Sequence, residues 1–202
     1  MKLPFEIDLN GKTAVVTGGG GVLCSDFAKT VAHCGAKVAV LDLNADAAAK
    51  VAGEINALGG TAMAVGTNVL DKESLSDAKA EINKAFGRVD ILLNGAGGNN
   101  PKGTTSKDYY EKGDEVREDI KSFFDLDPKG IEFVFNLNFL GTLLPTQVFA
   151  PDLIDSDDGC IINISSMNAF CPLTRIPAYS GAKAAVSNLT QWLAVHFSKV
   201  GI

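Results

Sequence analysis

Ser165-Ser166-Met167-Asn168-Ala169-Phe170-Cys171-Pro172-Leu173-Thr174-Arg175-Ile176-Pro177-Ala178-Tyr179-Ser180-Gly181-Ala182-Lys183 follows an apolar run, Cys160-Ile161-Ile162-Asn163-Ile164, and leads into a helix-forming run through Ala184, Ala185, Val186 and Leu189. The apolar run reads as a buried strand. A serine pair therefore falls at a strand end, and Tyr179 and Lys183 fall at a helix start. Residues four apart share a helical face. An ammonium beside a phenol favours the phenolate and lowers its pKa from about 10. Such a phenol exchanges a proton near neutral pH. A serine hydroxyl facing it holds a carbonyl or alkoxide oxygen. These groups suit the interconversion of an alcohol and a ketone. A surface Tyr-Lys pair has the same spacing, so the flanking chain has to decide between the two.

The start of the chain decides it. Thr13-Ala14-Val15-Val16 reads as a buried strand running into Thr17-Gly18-Gly19-Gly20-Gly21. Leu23, Phe27, Val31 and Cys34 recur at helical spacing after it, and Gly35 can end that helix. Strand, glycine turn and helix together form the setting of a dinucleotide-binding loop. Glycines let the backbone approach a pyrophosphate, and the helix N-terminus supplies N–H groups and a positive dipole end. No Lys-Ser or Lys-Thr follows the turn, which excludes a P-loop. Asp42 closes a second strand, Lys37-Val38-Ala39-Val40-Leu41, where an acid accepts hydrogen bonds from adenosine ribose hydroxyls. It would repel a 2′-phosphate, and neither Leu43 nor Asn44 is basic, so the expected cofactor is NAD and not NADP. A helix cap or turn residue is the alternative for Asp42.

Further on, residues 45–58 read as a helix, 61–65 as a third strand, and 70–86 as an amphipathic helix with Asp71 as N-cap. Residues 89–93 form a fourth strand, followed by Asn94-Gly95-Ala96-Gly97. Residues 98–130 are turn-rich and charged. A connection this long is read either as a solvated insertion or as a lid near a substrate. Residues 132–150 and the run after Lys183 read as long helices. Both are apolar on more than one stripe, through Phe133, Phe135, Phe139, Trp192 and Phe197, which predicts self-association as a dimer or tetramer. His33 reads as surface, and His196 as a packing or capping residue.

Ser166, with Tyr179 thirteen positions on and Lys183 four further, resembles the signature of the short-chain dehydrogenase/reductase family. Ser166 has the family spacing, and Ser165 is expected to point into the sheet end. The resemblance spans essentially the whole chain. It implies a Rossmann-type α/β fold, a doubly wound parallel sheet in three α/β/α layers, as one NAD-binding domain over residues 1–202. It implies a catalytic set of Ser166, Tyr179, Lys183 and Asn138, the last from Asn136-Leu137-Asn138, where the family Asn kinks the helix and holds a water. Cofactor contacts are implied for Thr17, Gly18, Gly20, Gly21, Val22, Leu23, Asp42, Asn68, Val69, Asn94, Ala96, Gly97, Tyr179 and Lys183. Substrate contacts are read at Ser166, Asn168, Arg175 and Tyr179, a loop guanidinium suiting a carboxylate.

The sequence departs from the family pattern in several places. Val22 and Cys24 stand at the last two glycines of the Gly-rich motif, Gly20 and Gly21 being read as supplying flexibility one turn earlier. Asn68 stands for an Asp, and Gly95 for the second Asn of Asn-Asn-Ala-Gly. The family continues beyond the point where Ile202 ends this sequence, so a C-terminal part is expected to be missing. Several segments, Gly18 to Cys24, Gly141 to Phe149 and Ile162 to Phe170, are similar to the D-mannonate oxidoreductase (fructuronate reductase) branch. That similarity implies a sugar acid or polyol substrate. Another sugar-alcohol or gluconate-type dehydrogenase, a non-catalytic dinucleotide-binding protein and an inactive fragment are the competing readings.

The 202 residues suffice for one substantial core. A net charge of −6 argues against a nucleic-acid partner. Cys24, Cys34, Cys160 and Cys171 lack paired metal spacing, so no metal site is expected. The start, Met1 to Glu6, lacks the apolar core of a signal sequence, and no apolar run is read as long enough to span a membrane. These features predict a cytoplasmic chain with reduced thiols.

Overall fold

The computed structural model describes residues 7–156 and 158–202; the leader reading on Met1 to Glu6 falls outside them. Five parallel strands form one sheet: β1 (Thr13–Thr17), β2 (Lys37–Asp42), β3 (Thr61–Gly66), β4 (Ile91–Asn94) and β5 (Cys160–Asn163). Their order is β3-β2-β1-β4-β5. This is the doubly wound arrangement, in which strand order reverses on either side of β1.

Alternation along each strand divides the core in two. Ala14, Val16, Val38 and Val40 face α1 (Val22–His33) and α2 (Ala45–Ala57). Val15, Ala39, Leu41 and Leu92 face α3 (Lys72–Phe86) and α5 (Gly141–Ile154). Phe149 is fully buried on that second face, where truncation to Ala would cost about 3–5 kcal/mol. Asp71 caps α3 as its position predicts, accepting from Glu73 N and Ser74 N. α1 packs one residue out of the expected register. Its buried stripe is Cys24, Ala28 and Ala32, while Leu23 is exposed and Phe27 and Val31 are only half-buried. The small residues win because the helix lies close on β1 and the glycine turn.

α4 (Pro128–Phe135), a π-helical turn (Asn136–Leu140) and α5 run on as one helix, Pro128–Ile154. Its 27 residues, with an 18-residue window of mean hydropathy 1.3, meet the length and composition needed to cross a bilayer, unlike the reading from sequence. Half of that window is buried within the domain, with Asn138, Thr142 and Thr146 on the buried side. This is the pattern of a core helix. α6 (Pro177–His196) packs on α4 through Ala178, Ala182 and Val134. It starts at Pro177, which puts Tyr179 in its first turn as read from the sequence, with proline at the first position. His196 stacks on Trp192 in its last turn, ring centroids 4.5 Å apart.

Residues 98–127 are not a structureless insertion. They form three short 3₁₀ turns, Pro101–Gly103, Asp114–Val116 and Phe123–Asp125. Asp114 is buried and accepts from Lys107 Nζ at 3.0 Å and from Glu111 N at 2.9 Å. Tyr110, Phe123 and Phe124 meet edge to face.

Candidate active site

Parallel pairing brings the carboxyl ends of the strands level. Thr17 lies beside Leu41 and Asn94, and Asn94 beside Asn163. In open α/β sheets this edge, outside the switch in strand order, is where ligands bind. The turns after β1, β4 and β5 all converge there.

The first turn is held rigidly. Gly18 has φ +65°, and a Cβ there would lie 2.9 Å from Ala96. A Cβ at Gly20 would meet Ala47 Cβ at 2.7 Å and Asp42 Oδ2 at 3.0 Å. Gly20 therefore serves close packing and not the flexibility read from the sequence. Gly21 caps α1 with no side chain, leaving the first amides of the helix open toward the strand ends. Asp42 accepts from Gly20 N at 3.0 Å and from Asn44 N at 2.9 Å, so its carboxylate also closes the loop. Thr17 is fully buried; its Oγ1 accepts from Gly95 N and Ala96 N, at 3.1 and 3.3 Å. A cavity of about 340 Å³ opens here between Gly18, Gly21 and Asp42 on one side and Ala96 and Gly97 on the other. Val22 and Leu23 stand exposed at its mouth. The open amides, the glycine approaches and the flanking acid fit a dinucleotide.

Three other predicted cofactor residues act within the protein. Asn94 is buried and donates through Nδ2 to Thr146 Oγ1 at 3.0 Å and Asn163 Oδ1 at 2.9 Å, tying β4 to α5 and β5. Asn68 Oδ1 accepts from Leu70 N at 3.0 Å. Val69 is buried beside Gly141.

The turn after β5 separates the two serines. Ser165 Oγ pairs with Ser187 Oγ at 2.6 Å and donates to Lys183 O at 3.2 Å, so it faces α6 and not the expected sheet end. Ser166 caps a 3₁₀ turn, Met167–Ala169, and its Oγ accepts from Asn168 N at 3.2 Å. It remains half-exposed, with its hydroxyl proton free to donate. Asn168 is buried behind it.

Tyr179 is in the first turn of α6 and Lys183 in the second. The Lys183 ammonium lies 5.7 Å from the Tyr179 ring centroid and donates to Ile164 O at 2.7 Å. Only 5% of Lys183 is exposed, and desolvation pushes its pKa below the ordinary lysine value. Asn138 is fully buried in the π-helical turn. Its Nδ2 donates to Val134 O at 2.8 Å and Gly98 O at 2.7 Å, and its Oδ1 accepts from Gly98 N. A Cβ on Gly97 would touch Asn138 Oδ1 at 2.7 Å and Lys183 Nζ at 3.3 Å. Asn138, Lys183 and the cavity wall thus meet at one point.

Arg175 stands apart from this cluster. It is the one described non-glycine residue with positive φ, 72°. Its Nε donates to Thr105 O at 3.1 Å, and Thr105 N donates back to Arg175 O at 2.8 Å. Thr174 Oγ1 donates to Asp108 Oδ1 at 2.9 Å. A second cavity, about 260 Å³, lies between this loop and residues 105–123. Thr105 and Asp108 escaped the sequence reading, because nothing local announces a partner seventy residues away.

A doubly wound parallel sheet with a glycine turn, an acid closing β2 and a Ser-Tyr-Lys set at the strand ends defines a dinucleotide-dependent dehydrogenase class. The profile of the family described as short chain dehydrogenase matches residues 12–202, and the chain belongs to that family. An uncharacterized oxidoreductase of Haemophilus influenzae is 58% identical over 202 residues, covering all of this chain and 70% of the relative. The uncharacterized oxidoreductase UxuB of Bacillus subtilis is 49% identical, covering 99% and 70%. Among solved structures, a Haemophilus protein provisionally named a D-mannonate oxidoreductase, with NAD bound, superposes with a TM-score of 0.93 at 59% identity, covering 96% and 69%. A 7α-hydroxysteroid dehydrogenase complexed with NADH and a 7-oxo bile acid gives 0.83 at 31%, covering 100% and 71%. The chain thus spans about 70% of the length of the relatives it matches.

Proposed function

We propose that the protein is an NAD-dependent oxidoreductase that interconverts a secondary alcohol and a ketone on a sugar acid, with D-mannonate and D-fructuronate as the pair. The observation that carries the reading is the position of Lys183, between the Tyr179 ring and Gly97 on the cavity wall. The NAD bound to the Haemophilus neighbour and that neighbour's name support the cofactor and the substrate. The cytoplasm is the proposed compartment.

Bound here, NAD would supply the hydride acceptor for the substrate carbon, and NADH the hydride donor for the reverse direction. The chain's own work is to hold the substrate oxygen and move its proton. Ser166 Oγ–H donates to that oxygen and holds it against Tyr179. In the oxidising direction the Tyr179 phenolate takes the hydroxyl proton, so alcohol and NAD⁺ give ketone, NADH and one proton. The Lys183 ammonium offsets the phenolate charge. One of its three donors is held by Ile164 O, and the others are available for ribose hydroxyls. Asn138 fixes the Gly98 turn beside Lys183. The open N-terminus of α1 would hold the pyrophosphate, and Asp42 the adenosine ribose. Asn168, in the turn that Ser166 caps, and Arg175, further along the same loop, are the proposed contacts for the acid end of the substrate.

The test is NADH oxidation with D-fructuronate and NAD⁺ reduction with D-mannonate, beside a panel of neutral polyols and other sugar acids. Turnover of the mannonate pair is expected. Turnover only on another polyol leaves the proton path in place and removes this substrate. NADH binding without turnover on any of them leaves a dinucleotide-binding protein.

A further inference from the structure

Cys24 and Gly95 belong to different elements and are 71 positions apart, yet each decides what the other can be. Cys24 is in the first turn of α1 and is buried. Gly95 follows β4. A Cβ built on Gly95 would lie 2.2 Å from Cys24 Sγ, far short of the contact distance between a carbon and a sulfur, and 3.0 Å from Thr17 O. No rearrangement of a long side chain relieves this, because the thiol has one rotatable bond and is walled in. The sulfur occupies the place where a side chain at 95 would start.

Both residues wall the strand-end cavity. The two turns that they belong to also touch at Gly18 against Ala96, and Thr17 Oγ1 accepts from Gly95 N and Ala96 N. The spacing between the amides of α1 and the 95–97 turn is therefore set by three contacts, and Cys24 against Gly95 is the one made by a side chain of α1 itself. Burial raises the pKa of the thiol, so the sulfur stays neutral at the floor of the cavity.

We infer that Cys24 and Gly95 form one reciprocal pair, in which Cys24 is a positioning residue that sets the distance between the two turns gripping the dinucleotide. The inference rests on the dinucleotide reading above. It makes the two departures from the family pattern, Cys for Gly and Gly for Asn, a single compensated change.

A double-mutant cycle of Cys24→Gly, Gly95→Asn and the pair tests it, with NADH affinity by fluorescence titration and ligand-free Tm as readouts. Gly95→Asn alone is expected to lose on the order of tenfold or more in NADH affinity, because the Asn must displace the sulfur. Cys24→Gly alone should weaken NADH severalfold by loosening the floor, and raise the KM for NADH more than it lowers kcat. The pair should recover most of the loss. Affinities that combine additively overturn the coupling. A lower Tm with unchanged NADH affinity in Cys24→Gly overturns the positioning role. If Gly95→Asn alone is insoluble, recovery of soluble, NADH-binding protein with Cys24→Gly supports the pair, and insolubility in both backgrounds overturns it. Failure of the wild-type chain to bind NADH is separate, and removes the dinucleotide reading itself.

Discussion

The ammonium of Lys183 donates to the main-chain carbonyl of Ile164 at 2.7 Å, so the helix that carries Tyr179 is fastened to the strand end that delivers Ser166. Lys183 reaches this carbonyl from a buried position, and no carboxylate is among the groups acting on its charge. Desolvation is the largest cause of its lowered pKa, and interaction with Cys24 opposes it. Between that lowered value and the ordinary 10.5, the unfolded chain binds more protons than the folded one. Stability contributed by Lys183 therefore rises with pH across this window and is flat below it. Lys183→Met should remove the rise and abolish turnover. Unfolding free energy measured against pH checks it; overlapping wild-type and variant curves would show that burial of the ammonium carries no such cost.

Tyr179→Phe keeps the ring and removes the proton carrier. Turnover should fall by roughly 10²–10⁴-fold or more while NADH binding survives. Ser166→Ala should cost about 3 kcal/mol in transition-state stabilisation if its hydroxyl acts like an oxyanion donor. Single-turnover kinetics with NADH separate both losses from binding; a Tyr179→Phe variant turning over near the wild-type rate removes Tyr179 from the mechanism.

Asp42 closes the glycine loop and is the proposed acceptor for the adenosine ribose, so its replacement is expected to have two effects. Asp42→Ala should narrow the preference for NADH over NADPH. It should also destabilise the chain by about 1–3 kcal/mol, since Gly20 N and Asn44 N lose their acceptor. Titration with both cofactors and a denaturant curve read these separately. Tighter wild-type binding of NADPH than NADH contradicts the assignment.

Arg175 discriminates between a strut and a carboxylate ligand. Glycine tolerates φ +72° without strain, so Arg175→Gly keeps the backbone and loses the Nε bond to Thr105 O. As a carboxylate ligand, Arg175 predicts a KM for the sugar acid raised about tenfold or more, with neutral polyols little changed. Equal effects on acids and neutral polyols would reduce it to a clamp on residues 105–123.

Self-association is expected through the helices that leave large apolar residues outside. Trp192, Val195 and Phe133 are exposed on α6 and α4. Val195→Glu should shift a dimer or tetramer toward monomer, with Tm falling at low protein concentration. Sedimentation velocity at micromolar concentration decides; a monomeric wild type ends the proposal.

By itself the sequence determined the architecture and the chemical set. Alternating and continuous apolar runs, glycine punctuation and the Asp71 cap are local signals, each set by backbone sterics or by burial of one face, so β1 to β5 and their helices were legible. The Tyr179 and Lys183 pair was legible because a helix turn fixes which residues share a face, and Ser166 was marked out by the family spacing that the resemblance supplied. The reading slipped where tertiary contacts outweighed local preference, as in the register of α1. Only the tertiary structure decided which residues met across long separations. It made Asn94 a tie between strands, turned Asn138 onto Gly98, clamped Arg175 to Thr105, and set the Cys24 sulfur where a side chain at Gly95 would be. Those outcomes depend on how closely two segments far apart in the chain approach, a distance that close packing in three dimensions sets and that neither segment encodes alone.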